Sequence, residues 1–260
     1  MRKISTFLLF ICGLSITAFA QVSVKNLLCE NLSNPVGLDV KSPRFSWQLA
    51  SDKRSVMQTA YELKVMQGKT TVWNSGKVSS DQSVFVSYNG TPLQSDKKYN
   101  WQVRVWDNEA KASAWSEVAN FQMAFLNAFD WKAKWIEAGF PEDSINRPAQ
   151  YFRKQFSVNK KITSATAYIT AHGMYEAEIN GKRVGDAYLT PGWTSYKTRL
   201  QYQVYDVTSL LNNGNNAVGA VLGNGWYRGF LAWGDNKNIY GRKLGLLFQL
   251  NITYSEEALQ

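Results

Sequence analysis

The chain has 260 residues, 29 of them Lys or Arg and 20 Asp or Glu, and its formal net charge is +9. The basic residues are scattered or paired, as in Lys97-Lys98, without a basic helix or a basic run interleaved with aromatics, which excludes an obvious nucleic-acid partner. The 10 Trp, 13 Tyr and 13 Phe suit either a large β-sandwich core or a sugar-stacking surface, and composition does not separate these uses.

Residues 1–20 have the pattern of a signal peptide. Arg2 and Lys3 are followed by an apolar segment at residues 7–16, and Ala18-Phe19-Ala20 has the small-x-small form of a cleavage site. The apolar segment is too short to span a bilayer, and no later apolar run is long enough. Phe10 and Ile11 do not fit a lipoprotein signal around Cys12. We therefore expect an exported periplasmic or extracellular protein with no membrane partner.

Cys29 is the only cysteine outside the predicted signal peptide, so no disulfide within the chain is expected. Export without disulfides is more typical of a bacterial envelope protein than of a small disulfide-stapled one. Without Arg2 and Lys3 the formal charge falls to +7.

The segment 21–125 shows the alternation of apolar and polar residues that is typical of strands. In residues 99–106, for example, Tyr99, Trp101, Val103 and Val105 share one face. Roughly seven short strands are predicted, which indicates an immunoglobulin-like or fibronectin-III-like sandwich. The predicted strands lie at residues 45–49, 60–66, 71–73, 84–88, 99–106 and 121–125. Residues 126–150 are predicted to be a linker and re-entry segment, with Trp131 and Trp135 packing at the junction.

The segment 151–260 is predicted to be a second, jelly-roll-like sandwich, so that the fold class is all-β with two tandem β-sandwiches. In its first predicted strand Ala165, Ala167, Ile169 and Ala171 share one face, and Ser164, Thr166, Tyr168 and Thr170 share the other. Further strands are predicted at residues 201–207, 217–222 and 244–254. Between them lie a short helical turn at 208–211, a loop at 212–216 and a tight turn at 223–225.

Residues 171–196 hold the most informative local pattern. Asn180-Gly181 lies between two extended runs and tolerates the positive φ angles of a tight hairpin. Pro191 and Gly192 then break the extended pattern and place Trp193 in a loop. A Trp on a rigid loop beside a hairpin is typical of a flat apolar binding platform.

Three stretches together resemble the N-terminal part of bacterial α-L-rhamnosidases: residues 27–47, with Ser42-Pro43-Arg44-Phe45-Ser46-Trp47, residues 171–196, and residues 202–229. The resemblance implies a family that removes terminal α-L-rhamnose with inversion, using two carboxylates on an (α/α)6 barrel. No position here matches those carboxylates, so no catalytic residue is assigned. We expect a non-catalytic N-terminal region, or fragment, whose partners are a rhamnose-containing glycan and the missing catalytic barrel of the same polypeptide.

Two alternatives stay open at this point: a free-standing carbohydrate-binding module, and a structural module that docks on a catalytic barrel. Glu176 and Glu178 are about 7 Å apart on one strand, a separation that inverting glycosidases use. However, they project in parallel and do not flank a bond, so a solvated strand face is predicted. His172, the single histidine, is predicted to be structural and hydrogen-bonded near Gly173.

The carbohydrate-binding residues predicted from sequence are Trp193, Asn180, Trp226, Tyr227 and Arg228. Aromatic rings with a planar guanidinium suit hydroxyl recognition. For Trp193 and for Trp226-Tyr227-Arg228 a packing role is the alternative, and for Asn180 the alternative is its turn.

Calcium is the cofactor that the resemblance raises, because some similar rhamnose-binding modules hold it with acidic and amide groups in the region of Asn180. Calcium prefers several oxygen ligands, usually including carboxylates. Here Ile179 precedes Asn180, and Asp186 lies across the hairpin. We therefore expect no cofactor and assign no metal ligand, and calcium stays open as the alternative.

Overall fold

The computed structural model describes residues 22–143 and 145–255, so the predicted signal peptide lies outside the described residues. The regular secondary structure of the described part is almost entirely β-strand. They are β1 Ser23–Cys29, β2 Val36–Leu38, β3 Arg44–Ala50, β4 Gln58–Gln67, β5 Thr70–Asn74, β6 Val86–Ser87, β7 Lys98–Asp107, β8 Ala119–Met123, β9 Gln150–Val158, β10 Ile162–His172, β11 Met174–Ile179, β12 Lys182–Arg183, β13 Gln203–Asp206, β14 Gly214–Gly223 and β15 Gly245–Tyr254.

In the residues that the structure describes, helical structure is limited to three short segments: 3-10 turns at Ala128–Asp130 and Thr208–Leu210, and the one-turn helix α1 at Gly225–Arg228. The turn at Thr208–Leu210 confirms the predicted helical turn at 208–211. Within the described ranges, no helix has both the length and the apolarity needed to cross a bilayer.

The first sandwich packs the sheet β1-β3-β6 against the sheet β2-β8-β7-β4-β5. The predicted apolar face of β7 is confirmed: Tyr99, Trp101, Val103 and Val105 are all buried, and Trp101 lies 4.6 Å from Phe45 between ring centroids. β1 and β2 were not predicted. β6 has only two residues instead of the predicted 84–88, because Phe85 has φ of 56°, which an extended strand does not accommodate.

The second sandwich packs the sheet β13-β10-β15 against the sheet β12-β11-β14-β9. The Asn180-Gly181 hairpin between β11 and β12 is confirmed, with φ of 55° and 74° at its two residues. Three details differ from the prediction. β9 was missed, β14 starts at Gly214 inside the predicted loop, and Trp226, Tyr227 and Arg228 lie on α1.

The outer face of β10 is buried rather than solvated, because the first sandwich covers it. Tyr168 is fully buried and stacks on Phe125, with ring centroids 3.8 Å apart and planes 12° apart. Trp131 packs edge-on against Phe125 at 5.1 Å and against Tyr202 at 5.3 Å. Trp131 therefore packs at the junction, as predicted, whereas Trp135 stacks on His172 of the second sandwich. Aromatic packing holds the two sandwiches against each other.

Polar groups surround this aromatic contact. Asp96 of the first sandwich accepts hydrogen bonds from Asn251 Nδ2 at 2.8 Å, from Gln122 Nε2 at 3.1 Å and from the hydroxyl of Tyr168. Gln122 Nε2 also donates to Thr166 Oγ1 at 3.0 Å. Burial and the Asp96 carboxylate raise the pKa of Tyr168, so its hydroxyl stays a donor. The interface thus has a hydrogen-bonded polar node beside its aromatic centre, in which the buried Oε1 of Gln122 has no hydrogen-bond partner.

Candidate carbohydrate-binding surface

Seven rings gather at the end of the second sandwich where β11 begins, and we call them the aromatic array: Trp135, His172, Trp193, Tyr196, Trp226, Tyr227 and Tyr240. His172 lies between Trp135 and Tyr227, with centroid distances of 4.2 and 4.7 Å and planes within 10°. Tyr196 meets Tyr227 edge-on at 5.4 Å. The array is positioned by the turn after β14, because Gly225 lies against Met174 and Gly173.

Trp193 and Trp226 form the outermost pair of the array. Their planes differ by 4° and their centroids are 6.2 Å apart. Trp193 is 57% exposed, and its Nε1 donates to the hydroxyl of Tyr240 at 3.1 Å. This hydrogen bond fixes one edge of the indole while its surface stays open. The structure therefore places Trp193 in a loop with the geometry of a stacking platform, beside a half-buried Trp226.

Tyr227 lies inside the array and not on its surface. One face of its ring is covered by His172, and its edge meets Tyr196. Burial raises the pKa of its hydroxyl, and Glu137 adds to this effect. The placement favours the packing alternative for Tyr227.

Arg228 is 1% exposed, so its guanidinium does not face a ligand. Its Nε donates to Asn224 Oδ1 at 2.6 Å, and its Nη1 donates to the backbone oxygen of Arg242 at 3.1 Å and forms an ion pair with Glu142. These contacts tie α1 to the segment before β9 and to the loop before β15. The placement favours the packing alternative. Glu142 lies 86 positions away along the chain, and no local sequence signal pairs the two residues.

Asn180 lies at the opposite end of β11 from the aromatic array, roughly 17 Å along the strand at about 3.3 Å per residue. Its Nδ2 donates to Leu210 O at 2.9 Å and to Asn216 Oδ1 at 2.8 Å, and its Oδ1 accepts from Ala217 N at 2.9 Å. The structure thus separates Asn180 from the other predicted sugar-binding residues. Its amide supports the loop next to its own turn.

The residues around Asn180 do not fit calcium. The amide oxygen that would coordinate it already accepts a backbone hydrogen bond. Across residues 22–143 and 145–255, no group of three or more His, Cys, Asp or Glu side chains could hold a metal ion. Calcium needs several oxygen ligands, which the surroundings of Asn180 do not supply.

Glu176 and Glu178 lie on the solvated face of β11, as predicted. Both are exposed, whereas Ala177 and Ile179 face the core. Glu176 lies 3.9 Å from Arg183 in an exposed ion pair. The two carboxylates point the same way from one strand and do not face each other across a cleft.

His172 makes the stability of the fold depend on pH. Its ring is held by stacking, whereas the sequence predicts a hydrogen bond near Gly173. Burial lowers the pKa of His172, an effect that Glu137 partly opposes. The unfolded chain therefore binds the proton more readily, and His172 adds stability that grows as pH rises through the window below about 6.5.

Replacing His172 with Phe keeps the stacked ring and removes the titration. We expect the free energy of unfolding of the original chain to fall, relative to that of His172→Phe, between pH 7 and pH 5. Urea unfolding at both pH values measures this difference. If the difference in unfolding free energy between the two proteins is the same at both pH values, or changes in the opposite direction, then burial does not lower the pKa of His172.

The fold first defines a class: two packed β-sandwiches whose regular secondary structure is almost entirely β-strand. The family matches then assign it. Residues 24–127 match the Rha78A-like N-terminal immunoglobulin domain, and residues 160–260 match the α-L-rhamnosidase N-terminal domain. The chain belongs to the α-L-rhamnosidase family, of which it contains the N-terminal domains.

Two curated relatives and one solved structure support this assignment. The chain is 40% identical to an α-L-rhamnosidase of Alteromonas sp. (strain LOR) over 87% of its length and 37% identical to one of Formosa agariphila over 88%. It spans 26% of the length of each. The crystal structure of the Aspergillus terreus α-L-rhamnosidase has a TM-score of 0.83 and 36% identity, covering 90% of this chain and 28% of that one.

Proposed function

We propose that this chain is the non-catalytic N-terminal region of an exported α-L-rhamnosidase, whose remaining domains hydrolyse terminal α-L-rhamnose. The observation that carries the proposal is that the matched domains account for most of the chain, while it spans about a quarter of the curated relatives. The exposed, parallel Glu176 and Glu178 support it, because inverting hydrolysis needs carboxylates on opposite sides of the bond. The N-terminal pattern of residues 1–20 supports export.

Hydrolysis of an aryl α-L-rhamnoside by the purified chain tests this proposal. We expect no release of the aryl alcohol above the buffer rate, either from the chain or from the double variant Glu176→Gln, Glu178→Gln. Steady release by the chain that disappears in the double variant would overturn the proposal, and an active family member serves as the positive control.

A second candidate function is favoured by the Trp193–Trp226 pair. An exposed indole, fixed by a hydrogen bond and backed by a parallel ring, suits stacking of the C–H face of a sugar. The partner would be a rhamnose-containing glycan. The surface would then hold the glycan near the catalytic barrel of the same polypeptide.

Trp193→Ala tests this binding. We expect saturable quenching of Trp fluorescence by L-rhamnose or a rhamnosylated glycan, and an affinity at least about tenfold lower in the variant, since about 1.5 kcal/mol of aromatic contact is removed. Trp115→Phe is the matched control, because Trp115 lies in the first sandwich against Lys64 and Arg104. If Trp193→Ala leaves the quenching intact, the sugar does not bind at the Trp193–Trp226 pair.

A further inference from the structure

Strand β15 has an unpaired edge. On one side it pairs with β10, and on the other only Leu246 is bonded, through two 2.9 Å backbone hydrogen bonds with Ile136. Hydrogen-bonding directions alternate along an antiparallel strand, so the N–H and C=O groups of Phe248, Leu250 and Ile252 point away from β10. Within residues 22–143 and 145–255 these groups have no backbone partner across that edge.

This edge also lacks the features that usually protect a free strand. The sequence of β15, GLLFQLNITY, contains neither a charged residue nor a proline. β9, which forms an edge of the facing sheet, carries Arg153 and Lys154. Natural edge strands are normally protected by charged side chains, by prolines or by a helix or loop that covers them, because unpaired backbone groups at an edge can pair with other strands. An uncharged ten-residue edge therefore indicates that another segment covers it.

An apolar cleft of about 330 Å³ opens beside this edge, between the two sheets of the second sandwich. Phe152, Val218, Leu246 and Phe248 line it. Three cationic side chains stand at its rim: Lys134, Arg153 and Lys154. All three are exposed, and in the described part of the chain no ion pair involves them.

We infer that β15 accepts an additional β-strand, supplied by the part of the rhamnosidase polypeptide that lies outside the described residues. Its side chains at alternate positions would be apolar and enter the cleft, and acidic side chains would reach the cationic rim. This inference rests on the proposed function, since the matched region covers 26% of the length of the curated relatives, which are therefore much longer than this chain. A second copy fits less well, because pairing two β15 edges would bring two sets of the same cations together.

The test uses a labelled, end-capped nine-residue peptide with valine at alternate positions and glutamate between them, titrated into the 260-residue chain by fluorescence anisotropy. We expect saturable binding, and binding at least tenfold weaker for the same peptide with lysine in place of glutamate. Leu250→Pro should abolish binding, because it removes an outward N–H. Proline is tolerated where an edge N–H faces solvent, so circular dichroism should show an intact fold.

Two charge variants make the test independent of the proline variant. Lys154→Glu should weaken peptide binding about tenfold. Lys182→Glu should leave binding unchanged, because Lys182 is exposed on β12 at the opposite edge of the same sheet.

Absence of saturable binding to the folded chain, or equal binding by Leu250→Pro, would overturn the inference. A dimer in analytical ultracentrifugation that Leu250→Pro dissociates would assign the edge to a second copy instead. The peptide readout involves no rhamnoside hydrolysis, so failure here and failure of the proposed function are distinguishable.

Discussion

Replacing Arg228 with methionine should lower the free energy of unfolding by about 3–5 kcal/mol, because it leaves Glu142 without its buried partner. The same change should leave the response of Trp193 to sugar unaltered at temperatures where the variant stays folded. The reason is that the guanidinium is buried and joins α1 to its neighbouring loops. Chemical unfolding followed by fluorescence, together with a sugar titration, measures both effects.

The control is the double variant Arg228→Met, Glu142→Leu, in which neither charge is left unpaired. Apolar replacement of both members of a buried ion pair is often close to neutral, so we expect most of the stability to return. If Arg228→Met abolished sugar binding without loss of stability, Arg228 would be a ligand-binding residue and the packing role would be wrong.

Phe125→Ala should cost about 3–5 kcal/mol and separate the unfolding of the two sandwiches. Phe125 is buried at the centre of the contact between them, stacked on Tyr168 at 3.8 Å. Removing its ring deletes its contacts with both Tyr168 and Trp131. Differential scanning calorimetry should show one cooperative transition for the original chain and two for the variant.

Phe129→Ala is the matched control, since Phe129 lies four residues away and is 86% exposed. It should change stability by less than about 0.5 kcal/mol, as surface substitutions usually do. A single unshifted transition for Phe125→Ala would mean that the aromatic contact does not couple the sandwiches.

Local patterns in the sequence predicted much of the fold. The alternation in β7 and β10 depends only on the two-residue repeat of a strand, and the Asn180-Gly181 hairpin depends only on two backbone conformations. The short β6 was overestimated because nothing local reveals the positive φ of Phe85. β9 was missed because Arg153 and Lys154 interrupt its apolar alternation.

The candidate site was only partly predictable, because its members depend on partners far away in the chain. The exposed position of Trp193 follows from its Pro191-Gly192 loop, which is a local signal. The burial of Arg228 follows from Glu142, and the stacking of His172 follows from Trp135 and Tyr227, which come from separate segments. Sequence therefore indicated the loop position of Trp193 but not the burial of Arg228 or the stacking of His172.

The structure divides the five predicted sugar-binding residues into groups with different surroundings. Trp193 is open to solvent and Trp226 backs it. Tyr227 is half-buried with one ring face covered by His172, Arg228 is buried, and Asn180 lies at the far end of β11. Predictions about sugar contact therefore concern the Trp193–Trp226 pair. Arg228→Met tests whether a buried residue supports this surface without contacting the sugar. Trp193→Ala tests direct contact with the sugar.

We propose that this chain takes part in rhamnoside hydrolysis without performing it. NMR of methyl α-L-rhamnoside incubated with the purified chain tests this most directly, because the anomeric protons of the glycoside and of free L-rhamnose are resolved. We predict that the glycoside signals persist unchanged over days. Growth of free L-rhamnose signals at a rate proportional to the protein concentration would contradict the claim.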